Sequence, residues 1–158
     1  MVDVHADYVP TFLRGGSVLP KRERPRRSSQ GSHTDPFTLV VAPAHGLASA
    51  SGTLFVDAYD GYEATTLKVR FELEAGGRVL HGSVEQVGKA GPSAAAGSMI
   101  ERIVFWGQVA APREVLVRKA DGQAITGVLA SYDASAGAVT VRQPMVSIGE
   151  AWTVELVP

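Results

Sequence analysis

Hydrophobic and polar residues alternate along much of the chain with a period of two. The alternation is complete between residues 67 and 74, where every second side chain is hydrophobic: Leu67, Val69, Phe71 and Leu73. Because successive side chains of a β-strand point to opposite faces of the sheet, this segment is predicted to be a half-buried strand. The glycine-containing turn Ala75–Arg78 and the hydrophobic segment Val79–Gly82 follow it, so a β-hairpin is predicted here.

Further segments of the same kind predict a chain made of short strands. Segments that are more continuously hydrophobic are predicted as central strands: Thr38–Ala42, Thr53–Asp57 and Ile100–Trp106. Turns that contain Asp or Gly separate further alternating segments: residues 115–119, 125–130, 138–142 and 152–157. No segment favours a stable helix, and Gly88–Ser98 is predicted to be a flexible loop. The pattern favours an all-β fold, namely an antiparallel β-sandwich.

The first 34 residues have a different pattern. Two short hydrophobic segments flank Arg14, Gly15 and Gly16, and the glycines are predicted to form a bulge or bend where backbones approach closely. Because the residue before a proline is restricted to extended conformations, a boundary is predicted at Asp35–Pro36. Residues 35–158 are predicted to form the β-sandwich. Residues 1–34 are predicted to be the tail of a truncated region.

Composition excludes several classes of protein. Of the 158 residues, 45% are hydrophobic and 20% are charged, which is typical of a folded core, and the net charge is -1. A chain without cysteine forms no disulfide and has neither thiol catalysis nor a cysteine-ligated zinc site. The first residues lack the pattern of a signal peptide, and no hydrophobic run is long enough to cross a bilayer. We therefore predict no membrane partner.

A basic run, Lys21–Arg27, places five cationic side chains in seven positions. Clusters of this kind occur in nucleic-acid-binding proteins. No aromatic residue that could stack on a base is interleaved here, and the remaining chain is slightly acidic. We therefore favour a solvated surface loop, or a salt-bridging contact with another domain, and predict no nucleic-acid partner.

Asp57, Asp60 and Glu63 place three carboxylates around Gly61. Calcium binds carboxylate oxygens, but the spacing does not fit an EF-hand loop. An Asp-Gly turn between two strands is the favoured interpretation, and a metal site at this turn stays an open alternative.

No catalytic constellation is visible in the sequence. Glycoside hydrolysis needs two carboxylates that face each other across the scissile bond, and no such pair stands out in an aromatic setting. Trp106 and Trp152 lie on predicted strands and are expected in the core. The histidines lack the spacing of metal ligands: His5, His33, His45 and His81. The sequence therefore predicts no catalytic, substrate-binding or metal-binding residue and no cofactor.

One string of residues resembles a known family. Val9–Pro20 reads VPTFLRGGSVLP and is similar to the P-x-F-x-R-G-G-S-I-x-P signature near the C-terminal end of glycoside hydrolase family 31 α-glucosidases. The matching structural positions of this motif are Arg14, Gly15, Gly16 and Pro20. Similarity continues through Asp35–Ala42, Gly52–Asp57 and Ile100–Val104. The chain departs from the family at its Asp-Asp-Gly turn, where it has Asp57, Asp60 and Gly61.

The resemblance implies that this chain is the C-terminal part of such an enzyme. Residues 1–34 would be the end strands of a truncated second β-sandwich, the proximal C-terminal β-domain, and residues 35–158 would form the distal one. The catalytic aspartates of the family lie in a (β/α)8 barrel outside this sequence, so the implied role is structural and the implied partner is that barrel. The branch of the family that matches best trims glucose from N-linked glycans by retaining hydrolysis. It works in the lumen of the endoplasmic reticulum with a non-catalytic β subunit.

A second function stays open. A free-standing β-sandwich that binds carbohydrate would need exposed aromatic residues, and Tyr59 and Tyr62 are the candidates in the sequence.

Overall fold

The computed structural model describes residues 10–28, 30–57, 66–87 and 98–158. These residues form strands and a short 3-10 turn at Gln30–Ser32, with no α-helix among them. The strands are β1 (Ser17–Lys21), β2 (Phe37–Ala42), β3 (Ala50–Asp57), β4 (Thr66–Leu73), β5 (Val79–Val87), β6 (Met99–Trp106), β7 (Glu114–Lys119), β8 (Ala124–Ile125), β9 (Leu129–Asp133), β10 (Ala138–Ser147) and β11 (Trp152–Val157). The predicted all-β fold is confirmed.

The strands belong to one hydrogen-bonded sheet in the order β8-β7-β11-β5-β4-β3-β1-β2-β6-β10-β9. Most neighbours are antiparallel, as expected, but β1 pairs with β3 and β2 pairs with β6 in parallel. Turn residues in a sequence predict hairpins, which are antiparallel pairs of consecutive strands. The two parallel pairs join strands that are not consecutive, so no turn in the sequence predicts them. The sheet is therefore mixed.

The sheet curls so that its two edges come close together. The edge strands β8 and β9 are joined by residues 126–128, and a link of this length spans at most about 14 Å. Strands β7 and β10, near opposite ends of the strand order, also contact each other. The curled sheet encloses one hydrophobic core, whose largest fully buried side chains are Phe71, Phe105, Leu39, Leu67, Leu80, Ile100, Ile103 and Ile148. A division of this sheet into the two layers of a sandwich stays a prediction.

The hairpin predicted from the clearest alternation is present. Strands β4 and β5 pair with Leu73 opposite Leu80, and the backbone N–H of Glu74 donates to the carbonyl of Val79 at 2.9 Å. Gly76 and Gly77 both have positive φ, a conformation that suits glycine. The prediction of this hairpin is confirmed.

The strand predicted over residues 125–130 is wrong in one respect. The chain forms β8 and β9 there, separated by a bend at Gly127, whose φ is +73°. Strand β8 pairs with β7, whereas β9 pairs with β10 at the other edge of the sheet. One segment thus contributes to both edges.

Strand β1 lies in the middle of the sheet. Val18 points into the core, and β1 pairs with β2 along its whole length, from Ser17 opposite Ala42 to Lys21 opposite Thr38. The domain boundary between residues 34 and 35 stays a prediction.

Candidate functional site

The Arg14–Gly16 motif forms the turn that leads into β1. The backbone N–H of Gly16 donates to the carbonyl of Ala42 at 2.8 Å, and its carbonyl accepts the N–H of Ser51 at 3.0 Å. Gly16 has a φ of +85°, and a Cβ at Gly15 would lie 3.2 Å from the carbonyl oxygen of Pro43. Pro20 lies within β1. The motif therefore holds the start of β1 between β2 and β3.

A glycine outside the motif makes an even closer approach to β1. A Cβ at Gly52 would lie 2.0 Å from the backbone carbonyl oxygen of Val18, far inside any real contact. Strand β3 can lie beside β1 only because residue 52 has no side chain. Gly52 belongs to a segment that resembles the family, but the sequence alone assigns it no role, because its neighbour Val18 is distant in the chain.

The acidic turn is only partly described. Asp57 ends β3 opposite Thr66, whereas Asp60, Gly61, Tyr59 and Tyr62 lie outside the described residues. The predicted loop Gly88–Ser98 also lies outside them except for Ser98.

The basic run is tied to the domain by ion pairs. The guanidinium of Arg26 donates to both carboxylate oxygens of Asp35, at 2.8 and 2.5 Å, and the Asp35 side chain is only 3% exposed. Hydrogen bonds from Arg26 hold the pKa of Asp35 below its usual value, and the same contact raises the pKa of Arg26. Arg24 donates to Glu101 on β6 at 2.9 Å.

Glu23 and Arg22 complete this attachment. Glu23 pairs with Lys21 and with Arg102, each at 3.2 Å. The Arg22 guanidinium lies 4.4 Å from the centre of the Phe37 ring and donates to the carbonyl of His33. The basic run therefore forms salt bridges, as one of the two interpretations predicted, but with residues of this chain and not with another domain.

Strands β4, β5, β7 and β11 present a charged outer face. Glu85 pairs with Lys68 at 2.6 Å and with Arg70 at 3.2 Å, and Arg70 also pairs with Glu72 at 2.7 Å. Hydrogen bonds from Lys68 and Arg70 lower the pKa of Glu85. A general acid needs the opposite, a carboxyl whose pKa is raised. This face therefore holds ionised carboxylates beside cations.

One row of side chains on this face has the order of a hydrolase triad. His81 Nδ1 lies 3.1 Å from the Thr153 hydroxyl, and His81 Nε2 lies 2.6 Å from a Glu74 oxygen. Strand β11 pairs with β5 on one side and with β7 on the other, so its backbone N–H groups donate hydrogen bonds to these neighbouring strands. A triad also needs donors that stabilise an oxyanion, and the N–H groups beside Thr153 are not free for that purpose.

Strands β1, β2 and β6 present an apolar outer face. Leu19 lies opposite Val40, and Val40 lies opposite Val104, so the three side chains form one row across the sheet. Phe12, Leu13 and Trp106 extend this row into a groove of about 660 Å³. We call these six side chains the apolar face: Phe12, Leu13, Leu19, Val40, Val104 and Trp106.

Trp106 corrects one expectation from the sequence. Trp152 lies in the core beside Phe71, with ring centres 6.1 Å apart, as expected. Trp106, which was also expected in the core, is 45% exposed. It follows Phe105 on β6, and alternation therefore turns it outward.

The described residues contain neither a cluster of metal ligands nor a membrane-spanning helix. No three His, Asp or Glu side chains come together in a group that could hold a metal ion. Within the same ranges, no helix is long and apolar enough to span a membrane.

Known proteins resemble this chain along almost its whole length. The probable glucan 1,3-alpha-glucosidase of Oryza sativa is 27% identical over 98% of this chain and 17% of that protein. Neutral alpha-glucosidase AB of Mus musculus is 30% identical over 94% of this chain and 15% of that protein. The chain is related to the family 31 α-glucosidases. No family model matches it.

The fold agrees with this relationship. A solved ER glucosidase II heterodimer, a catalytic subunit with the binding domain of a regulatory subunit, shares the fold with a TM-score of 0.74 and 23% identity. The match covers 91% of this chain and 17% of the solved chain. The chain thus spans about one sixth of the length of the α-glucosidases that it matches.

Proposed function

We propose that this chain is a non-catalytic, structural region of a family 31 α-glucosidase. The observation that carries the proposal is the coverage: at least 94% of this chain matches only 15–17% of an α-glucosidase. A catalytic barrel of the usual size needs about 250 residues, more than this chain contains. The reaction therefore belongs to the polypeptide outside the match.

The chemistry of the described carboxylates supports a structural role. Retaining hydrolysis needs two carboxyl groups about 5 Å apart on either side of the scissile bond, one of them with a raised pKa. Asp35 and Glu85, whose pKa values are lowered, are held by Arg26 and by Lys68 and Arg70. These groups stabilise the fold and are unsuited to protonating a leaving group.

The parent enzyme trims α-1,3-linked glucose from N-linked glycans by retaining hydrolysis. It works in the endoplasmic reticulum lumen, and its partners are its own catalytic barrel and a regulatory β subunit. Support comes from the relatives, which bear the names glucan 1,3-alpha-glucosidase and neutral alpha-glucosidase AB, and from the solved ER heterodimer. In this assembly the region would stabilise the barrel.

A hybrid enzyme tests this function. The chain replaces the matched region of the mouse relative, and hydrolysis of an aryl α-glucoside is measured for the hybrid and for the chain alone. We expect an active hybrid and no hydrolysis by the chain. Turnover by the purified chain alone, or an inactive hybrid, would contradict the proposal.

Trp106 favours carbohydrate binding as a second candidate function. Its exposed indole lines a groove, and an aromatic face can pack on a sugar ring. Calorimetric titration of the chain with gluco-oligosaccharides tests this function. Binding that disappears in Trp106→Ala would support it, whereas no heat with any of these sugars would exclude it.

A further inference from the structure

We propose that a groove between three loops beside Trp106 binds a neutral oligosaccharide of hexose units. Its lining comes from residues 42–48 between β2 and β3, from the turn 76–78 between β4 and β5, and from residues 106–109 at the end of β6. We call it the end groove, and it is distinct from the groove on the apolar face. This inference rests on the second candidate function and adds to it the location and the polar groups of the sugar site.

Hydrogen bonds hold the loops of the end groove in place. The side-chain Nε2 of Gln108 donates to the carbonyl of Gly77 at 3.1 Å, which ties the third loop to the second. The backbone N–H of Gln108 donates to the carbonyl of Gly137 at 2.9 Å, and within the first loop the N–H of Ala48 donates to the carbonyl of Ala44 at 3.0 Å. The groove, with a volume of about 530 Å³, is therefore formed in the free protein and has the size of a small-molecule site.

The end groove offers hydrogen-bond donors together with an acceptor. Arg78 and His45 are exposed, and neither side chain has a hydrogen-bond or ion-pair partner among the residues that the structure describes. Because a carbonyl only accepts, the nitrogen of the Gln108 amide is the atom that faces Gly77, and its Oε1 stays available as an acceptor. A hydroxyl both donates and accepts, so the hydroxyls of a sugar match both kinds of group.

Trp106 supplies the apolar part of the end groove. Its indole is 45% exposed and lines this groove, where the C–H face of a hexose ring can pack on it. No Asp or Glu is among the described residues of the lining, so a cationic ligand would find no counter-charge. An anion would use the donors of Arg78 and His45 but neither the indole nor the Gln108 oxygen. A neutral sugar uses all of them.

Amide NMR spectra of the full chain during titration with an oligosaccharide locate the site. Maltotriose, isomaltotriose and nigerotriose present three different linkages of glucose. We expect at least one of them to bind with a Kd of roughly 1 mM or below and to shift the Trp106 indole N–H and the amides of Gly77 and Gln108 most. Shifts confined to Leu19 and Val40 would place the sugar on the apolar face; they would overturn the inference and leave the second candidate function standing.

A pair of arginine variants tests the polar contacts. Arg78→Ala should weaken binding of the sugar roughly tenfold, because it removes hydrogen bonds from a charged donor. Arg142→Ala is the matched control, since it removes an exposed arginine of β10 that also lacks a side-chain partner among the described residues. Its affinity should equal that of the unsubstituted chain, and both variants should keep the melting temperature within about 2 °C. Unchanged affinity in Arg78→Ala, or an equal loss in the control, would overturn the inference.

Two further outcomes separate the inference from the alternatives. Inorganic phosphate should not displace the sugar from the end groove. Displacement by phosphate that weakens as sodium chloride is added would assign the groove to an anion and would overturn the inference. No shift with any of the three sugars would overturn both the inference and the second candidate function, whereas the structural role is decided separately by the hybrid enzyme.

Discussion

Gly82 on β5 lies directly beneath the indole ring of Trp152, so Gly82→Ala tests how tightly this part of the core is packed. A Cβ at residue 82 would lie 2.3 Å from Cε2 and 2.5 Å from Cζ2 of Trp152. Ordinary contacts of such an atom begin near 3.4 Å, so the ring must move by about an ångström. Trp152 is buried and also contacts Phe71, so it has little room to move.

The cost follows from this geometry. Forcing an extra methyl group into a well-packed core costs about 1–3 kcal/mol, and a rigid double ring favours the upper half of that range. We therefore expect Gly82→Ala to lower the free energy of unfolding by about 2–3 kcal/mol. For a domain of this size the melting temperature should fall by about 5–10 °C.

Urea unfolding, followed by circular dichroism, measures the effect. Gly31→Ala is the control, because its Cβ would meet its nearest atoms at 3.8 Å and should change stability little. Trp152→Phe supplies a double-mutant cycle, since the smaller ring leaves room for a methyl group. It also removes a buried indole N–H that has no hydrogen-bond partner among the residues that the structure describes. We expect Gly82→Ala to cost much less in the Trp152→Phe background. Equal costs in both backgrounds would refute this account of the packing.

Two further predictions concern the attachment of the N-terminal segment. Hydrogen bonding to Arg26 lowers the pKa of Asp35 in the folded state. The ion pair therefore stabilises the protein at pH values above the unfolded-state pKa of about 3.9. This stabilisation is lost as the pH falls through the lower, folded-state pKa of Asp35. Asp35→Asn should lower the urea midpoint at neutral pH, and the midpoint should then decrease less as the pH is lowered. A pH dependence of the midpoint equal to that of the unsubstituted protein would contradict the stabilising role of this ion pair. Gly52→Ala should separate β3 from β1 at Val18, seen as faster amide exchange in both strands. Gly31→Ala, whose Cβ would meet its nearest atoms at 3.8 Å, should leave that exchange unchanged.

The sequence determined the local elements. The β4–β5 hairpin is defined by the alternation that ends at Leu73 and by the positive-φ glycines Gly76 and Gly77 of its turn. At this turn the paired residues are only a few positions apart in the chain, so local sequence suffices to predict the hairpin. At the turn between β9 and β10, Asp133 accepts hydrogen bonds from the hydroxyl and backbone N–H of Ser135, which stabilises the link to β10. The signature around Arg14 to Pro20 indicated the family.

Only the tertiary structure decided how these elements combine. The place of β1 between β2 and β3 depends on Gly52, whose close contact with Val18 joins residues far apart in the chain. The exposure of Trp106 depends on which side of β6 the core occupies, and a tryptophan on a strand does not encode that side. The apolar face joins residues of three strands with Phe12 and Leu13, and it exists only because the sheet brings them together. Local backbone preferences act over a few residues, whereas strand order and exposed faces arise from packing of the whole chain.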